Sequence, residues 1–144
     1  DVIVWSQTWM VGACEDDVLR GVVELRDSGA PASRPGRRRG ELSLSVERDW
    51  RNQGIGTRLL EEALLIARNR NFETLHLLCL PENRAMQQVA HKLGESLAFR
   101  DGDVEVRLRT PEPDPLSYFA EMFGDAADLW SRAVRRALQL PEAQ

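Results

Sequence analysis

Cysteine, histidine and tyrosine are scarce in this chain: two, two and one among 144 residues. Cys14 and Cys79 are too few for a disulfide framework, and neither stands in a C-x-x-C pair. A reduced, cytoplasmic setting is the simplest expectation. His76 and His91 stand apart, and no metal-ligand spacing joins them to other donors, so no metal is expected. No run of about 18 apolar residues occurs, which leaves no helix to span a bilayer, and no secretory n-region and h-region open the chain. Positive charge is not in excess either. A formal net charge of −4 gives no general affinity for nucleic acid or for an anionic membrane. The length suits one globular domain with a single core.

What is present centres on Arg51-Asn52-Gln53-Gly54-Ile55-Gly56-Thr57. An alternating segment over 41–46 precedes it, and a helical apolar stripe of Ile55, Leu59, Leu60, Ala63, Leu64 and Ala67 follows. A strand that turns through glycines into a helix gathers unpaired backbone N–H groups and the positive end of the helix dipole around one concavity. Such a place binds a phosphate or pyrophosphate. Gly54 and Gly56 let the backbone approach the anion, and Arg51 and Arg58 add charge at its edges. The spacing excludes two phosphate motifs. A Walker loop needs Lys-Ser/Thr after its last glycine, where this chain has Thr57-Arg58, and a dinucleotide fingerprint needs three glycines as G-x-G-x-x-G. On the six residues alone, a glycine turn without a ligand stays open.

Downstream, Asn71 ends the helix and 74–80 reads as a buried strand. Pro81-Glu82-Asn83 starts a second helix with Met86, Val89, Ala90 and Leu93 on one stripe, closed by Lys92-Leu93-Gly94. The first block has the form R-x-x-G-x-G. The second runs Asn83-Arg84-Ala85-Met86 through Val89-Ala90-His91-Lys92-Leu93-Gly94-Glu95. Together, in this order and spacing, they resemble the two signatures of the GNAT N-acetyltransferase superfamily, R/Q-x-x-G-x-G/A and N-x-A-x-x-L-Y-x-K-x-G-F. The resemblance covers about residues 9–109 and is nearest in flavour to bacterial protein-lysine acetyltransferases.

The resemblance implies an α+β fold: a central, mostly antiparallel sheet with splayed middle strands, flanked by helices, over residues 1–110. A Pro-rich linker and a C-terminal helix fill 111–144. It also implies attack of a primary amine, on a protein lysine or a small molecule, at the thioester of acetyl-CoA. The Arg51, Asn52, Gln53, Gly54, Ile55, Gly56 and Thr57 backbone would hold the pyrophosphate. Leu44, Ser45 and Val46, with Asn83 and Met86, would meet the pantetheine arm between the splayed strands. Those amides need partners, because a buried unpaired one costs about 1–3 kcal/mol. The thioester oxygen calls for a fixed donor, expected from a backbone N–H of the same strand. A non-catalytic acyl-CoA-binding regulatory or scaffold module of the same fold is the alternative.

A lysine-like amine has a reference pKa near 10.4 and must shed a proton to attack, so a base is needed. Glu41 is the candidate, about 16 Å along its strand from the phosphate end, and relatives carry a glutamate at this offset from the glycine loop. Strand parity puts Glu41, Ser43 and Ser45 on one face and Leu42, Leu44 and Val46 on the other. The competing reading makes Glu41 a solvated strand start. Glu24 is the reserve, and Glu47 sits too near the pyrophosphate. The family's acid tyrosine aligns with Ala90, and Glu95 stands where phenylalanine is usual. With a thiolate of reference pKa near 8.5 as leaving group, water can supply that proton. His91 points about 100° around the helix from Ala90 and reads as a surface residue.

The remaining segments complete an αβ layout. Residues 9–14 and 18–25 read as strands joined by a turn at Glu15-Asp16-Asp17, and 28–40 as a long mobile loop. A hairpin joins 97–99 to 104–108 across Asp101-Gly102-Asp103. Residues 110–115 break the structure. A helix over 116–140 is expected to bury Phe119, Phe123, Ala126, Ala127, Trp130, Val134, Ala137 and Leu138 against its own domain, with homodimerisation through it as second choice. The cluster Arg34, Arg37, Arg38 and Arg39 reads as a solvated loop, and Trp5, Trp9, Trp50 and Trp130 as core or interface. Only about fifty residues precede Arg51, fewer than the strand and two helices with which the family usually opens. A trimmed start, a naturally short member, and replacement by the tail or a partner subunit are the three expectations.

Overall fold

The computed structural model describes residues 8–79, 84–92, 96–100 and 103–124. Segments of period 2 form strands, and the apolar stripes of period 3.6 form helices. In chain order these are β1 (Thr8–Glu15), β2 (Val18–Pro31), β3 (Arg38–Val46), one 3-10 turn (Arg48–Trp50), α1 (Ile55–Asn69), β4 (Phe72–Cys79), α2 (Arg84–Lys92), β5 (Ser96–Arg100) and β6 (Asp103–Arg109). A third helix, α3, occupies 115–124. The strands build one sheet in the order β1-β2-β3-β4-β6-β5. Neighbours run antiparallel except β3 and β4, which are parallel because α1 carries the chain back between them. The architecture is the mixed, mostly antiparallel sheet flanked by helices that the sequence suggests.

Strand parity sorts the sheet into two unlike faces. Val23, Leu25, Leu42, Leu75, Leu77, Val104, Val106 and Leu108 point to one of them and are buried. Helix α1 lays Leu59, Leu60, Ala63 and Ala67 onto this face, and α2 adds Met86 and Val89. Each large apolar side chain so buried contributes roughly 1.5–3 kcal/mol. Gly40 is required by this packing, since a Cβ there would lie 2.9 Å from both Leu75 and Phe72 side chains. The opposite face carries Glu24, Arg26, Glu41, Ser43, His76, Leu78 and Glu105. No described helix packs on it, and Leu78 is 68% exposed. Strand β4 is therefore buried on one side only, so the reading of a buried strand holds for Leu75 and Leu77 and not for Leu78.

The sheet forks in its middle. The β3–β4 ladder ends at Leu42 opposite Leu77, although β3 continues to Val46 and β4 to Cys79. Over Ser43, Leu44, Ser45 and Val46, β3 is paired to β2 alone.

Two further expectations are corrected. Residues 28–40 are mostly strand: β2 runs on to Pro31 through a register shift between Asp27 and Pro31, and β3 starts at Arg38. Small residues read as loop composition here accommodate a bulge. The reading of the nearby arginines is corrected in part: Arg34 and Arg38 stay exposed as a solvated cluster would, yet they and Arg37 also brace the fold. Arg37 donates to the carbonyls of Phe72 and Thr110 at 2.8 and 3.2 Å. Arg34 pairs with Glu73 and Glu112 at 3.3 and 2.8 Å, and Arg38 lies over the Phe72 ring.

Helix α3 docks by a polar side, opposite to expectation. Asp114 caps it: the Ser117 N–H donates to Asp114 Oδ1 at 2.7 Å, and the Asp114 N–H donates back to Ser117 Oγ at 3.1 Å. With Pro115 at the first helical position, this is a reciprocal capping box. Buried Asn69, at the end of α1, donates to the Ser117 carbonyl at 2.9 Å and to Glu121 at 2.6 Å. Arg68 binds Asp114 and Arg70 binds Glu121. Phe119 and Phe123, expected inside, stack on each other and are exposed. The expected apolar positions from Ala126 onward, Trp130 among them, lie outside the described residues, as do Trp5 and the Asp101-Gly102 turn.

Candidate active site

The glycine loop is held open by its neighbours. Arg20 binds Glu47 at 2.9 Å and lies 4.8 Å above the Trp50 ring, which fixes the 3-10 turn leading into it. Arg51 Nε donates to the Val46 carbonyl at 2.9 Å, and Gln53 Nε2 to the Asp49 carbonyl at 3.1 Å. Asn52 and Gly54 both adopt positive φ, +61° and +84°. Gly54 is the N-cap of α1, so no side chain caps the helix, and its first turn holds no acid. The leading N–H groups of an α-helix have no partner within it. They combine here with the positive dipole end. Gly56 is not demanded by protein packing, since a Cβ there would meet only Leu44 and Val46, both at an ordinary 3.7 Å.

This loop, the fork and α2 enclose one cavity of about 470 Å³, lined by Leu44, Ser45, Val46, Arg51, Asn52, Gly54, Gly56, Thr57, Met86, Val89 and Lys92, among others. Nine of the coenzyme residues expected from sequence thus come together. Gln53 and Ile55 do not. They line a separate cavity with Gly12, Cys14, Arg20 and Trp50 between β1 and α1, so only their backbone could serve the loop. Asn83 and Glu95 lie outside the described residues. Ala90 falls within α2, and His91 is exposed as expected.

A second cavity, of about 740 Å³, opens on the polar face of the sheet and adjoins the first along β3. Glu24, Arg26, Arg39, Glu41, Ser43, His76, Leu78 and Glu105 line it. Glu41 does not stand as a bare carboxylate: Arg26 Nη2 donates to its Oε2 at 2.5 Å across the β2–β3 pair. That bond, and then the charge of Glu41, hold the guanidinium proton above its usual range. Glu24 and Glu41, both expected candidates, share the cavity. His76 and Glu105 were not anticipated. They are 29 residues apart, and only the β4–β6 pairing brings them together. The one local signal was period 2 along β4, which sets His76 on the polar face. Tyr118 donates to the Asn69 carbonyl at 3.2 Å, far in role from any acid tyrosine. Among the described residues no three His, Cys, Asp or Glu gather as metal ligands, and no helix is long and apolar enough to cross a membrane.

Comparison with known proteins bears on this geometry. The model of the Acetyltransferase (GNAT) family matches residues 3–94. The GNAT domain of S. lividans PAT is similar with a TM-score of 0.64 and 23% identity, over 75% of this chain and 64% of that one. A cAMP-binding acyltransferase from Mycobacterium smegmatis gives 0.64 and 18%, over 81% of this chain and 37% of that one. The PaiA N-acetyltransferase from Thermoplasma acidophilum, in complex with coenzyme A, gives 0.59 and 22%, over 72% and 61%. At these identities the structural likeness establishes the fold. The chain spans less than two thirds of each of these three structures.

Proposed function

The chain belongs to the acetyltransferase (GNAT) family, and from that premise we propose that it moves an acetyl group from acetyl-CoA to a primary amine by direct attack. The observation that carries this reading is the fork between β3 and β4 opening beside an uncapped glycine N-terminus. The two features ask for one ligand: an anion at the helix end, joined to an extended arm bearing amides. Acetyl-CoA has that form, with a diphosphate, two pantetheine amides and a thioester in sequence. In this reading it is the co-substrate.

Each residue then has a defined task. The N–H groups at the start of α1, with Arg51 and Lys92 at the rim, hold the diphosphate. Backbone groups over 43–46, left without a ladder partner on the β4 side, pair with the pantetheine amides. Glu41 draws the ammonium of the acceptor into the second cavity, where it displaces Arg26, and takes a proton from it. The nitrogen attacks the carbonyl carbon, the C–S bond breaks, and the thiolate leaves with the electron pair. A protein lysine stands ahead of a small amine as acceptor, because Leu78 offers an apolar wall to a methylene stem beside the carboxylates.

The second reading, a binding module without turnover, draws on the same Arg26–Glu41 pair, which occupies the base. Glu41→Gln separates the two. Turnover should fall by about 10²–10⁴ while coenzyme affinity, read by calorimetry, holds within twofold. A wild-type protein that binds coenzyme A but releases no thiol with any of a broad panel of amines and lysine peptides would favour the module. No heat with millimolar coenzyme would remove both.

A further inference from the structure

Acetylation removes two protons from one nitrogen. The ammonium loses one before it can attack, and the nitrogen of the tetrahedral adduct loses another as the amide forms. One ends on the departing thiolate and one in solvent. A single carboxylate such as Glu41 holds only one proton at a time, and it does so in competition with Arg26. A site that works by this chemistry gains from a second acceptor beside the first.

The polar face of the sheet contains one. Resting on the acetyl-transfer reading above, we infer that His76 is a second catalytic residue, its Nε2 taking the proton from the adduct nitrogen, and that Glu105 is its positioning residue. In the parallel ladder His76 stands directly opposite Glu41. Residues so paired project to the same face from strands about 4.8 Å apart, and both line the same cavity. Glu105, on the neighbouring antiparallel strand and 12% exposed, bonds the imidazole at Nδ1. That contact fixes the ring plane. It also favours the tautomer that carries its proton on Nδ1 and leaves the Nε2 lone pair for a ligand. His76 itself is 27% exposed, so the ring is held yet reachable.

The groups facing His76 are Glu41 and Arg39 from β3 and Glu105 and Arg107 from β6, with Glu24 and Arg26 one strand further on. Arg26 engages Glu41, and Arg39 donates to Ser33. On this face His76 bonds a carboxylate, whereas Glu41 bonds a guanidinium.

The test measures thiol release from acetyl-CoA against pH, with Nα-acetyl-lysine amide heading a panel of primary amines. His76→Gln should lower kcat by on the order of 10²-fold and delete one ionisation from the acid limb of the profile. KM for acetyl-CoA and coenzyme affinity by calorimetry should stay within twofold. Glu105→Gln should lower kcat by about tenfold, and added imidazole should restore part of the turnover of His76→Ala. A His76→Gln profile that superimposes on an active wild type overturns the inference and leaves the acetyl-transfer reading intact. Absence of thiol release from wild type with every amine removes both. Should His76→Gln fail to fold, failure of imidazole to rescue folded His76→Ala overturns it equally.

Discussion

Gly56→Asp should raise stability and abolish coenzyme binding, two effects of opposite sign from one carboxylate. Gly56 sits in the first turn of α1 with an ordinary negative-φ backbone, so aspartate introduces no backbone strain. Its Cβ meets only Leu44 and Val46 at 3.7 Å. Replacing a helical glycine gains about 0.3 kcal/mol of propensity. An acid in a first turn that has none gains another 0.3–1 kcal/mol from the dipole. Together these predict stabilisation by roughly 0.6–1.3 kcal/mol, or a Tm rise of about 2–5 °C for a chain of this size. The same carboxylate projects into the cavity between the loop and α2. Against a phosphate about 5 Å away, at an effective dielectric of 20, the repulsion is roughly 3 kcal/mol per charge pair. Allowing for screening by salt, affinity should fall at least about 100-fold. Scanning calorimetry and isothermal titration with coenzyme A read both effects on one preparation. A variant that binds coenzyme like wild type would refute the placement of the diphosphate over this turn. A variant that is destabilised would refute the account of why glycine stands there.

Two predictions concern the helix that docks through polar groups. Asn69→Ala should cost about 1–3 kcal/mol in urea unfolding, because it removes the bonds Asn69 makes to the Ser117 hydroxyl and carbonyl and to Glu121; a loss under 0.5 kcal/mol would contradict the docking described. Asp114 is held below the usual carboxylate range, first by the Ser117 N–H and then by Arg68. Its folded value is depressed, so its contribution is complete above the unfolded value of about 3.9 and disappears as pH falls through the lower folded one. Far-UV circular dichroism between pH 5 and 2 should therefore show a helical loss in wild type that Asp114→Asn lacks, because the neutral amide still caps the helix and does not titrate. Identical acid limbs would count against the capping box.

The parts of this protein that were legible in its sequence are those where a local pattern has one physical meaning. Glycines at 54 and 56 between a strand and an apolar stripe announce a bare helix N-terminus, and that is what α1 presents. Alternation at 41–46 gives the correct face for each of those six residues of β3. The illegible parts depend on partners distant in sequence. Gly29, Pro31 and Ser28 look like loop until Arg26 and Asp27 are seen paired with Glu41 and Gly40, which carries the strand through them. His76 and Glu105 become a pair only across β4 and β6. The α3 face was misjudged because burial there is organised by an asparagine, while Asp-Pro-Leu-Ser, a readable capping signal, precedes the aromatic stripe.

A sheet that divides midway possesses two strand margins deep in its interior, one on β3 and one on β4. Exposed margins invite pairing with other chains and are ordinarily blunted by charge, proline or a covering segment. These are protected by confinement: the glycine turn and α2 stand at the opening. Another sheet cannot lie flat against them, whereas a slender arm with its own amides can thread between and complete the missing rungs. On the proposed reading, the crotch of the sheet serves as a gauge of thickness, admitting a strand-like molecule and refusing a strand-bearing protein.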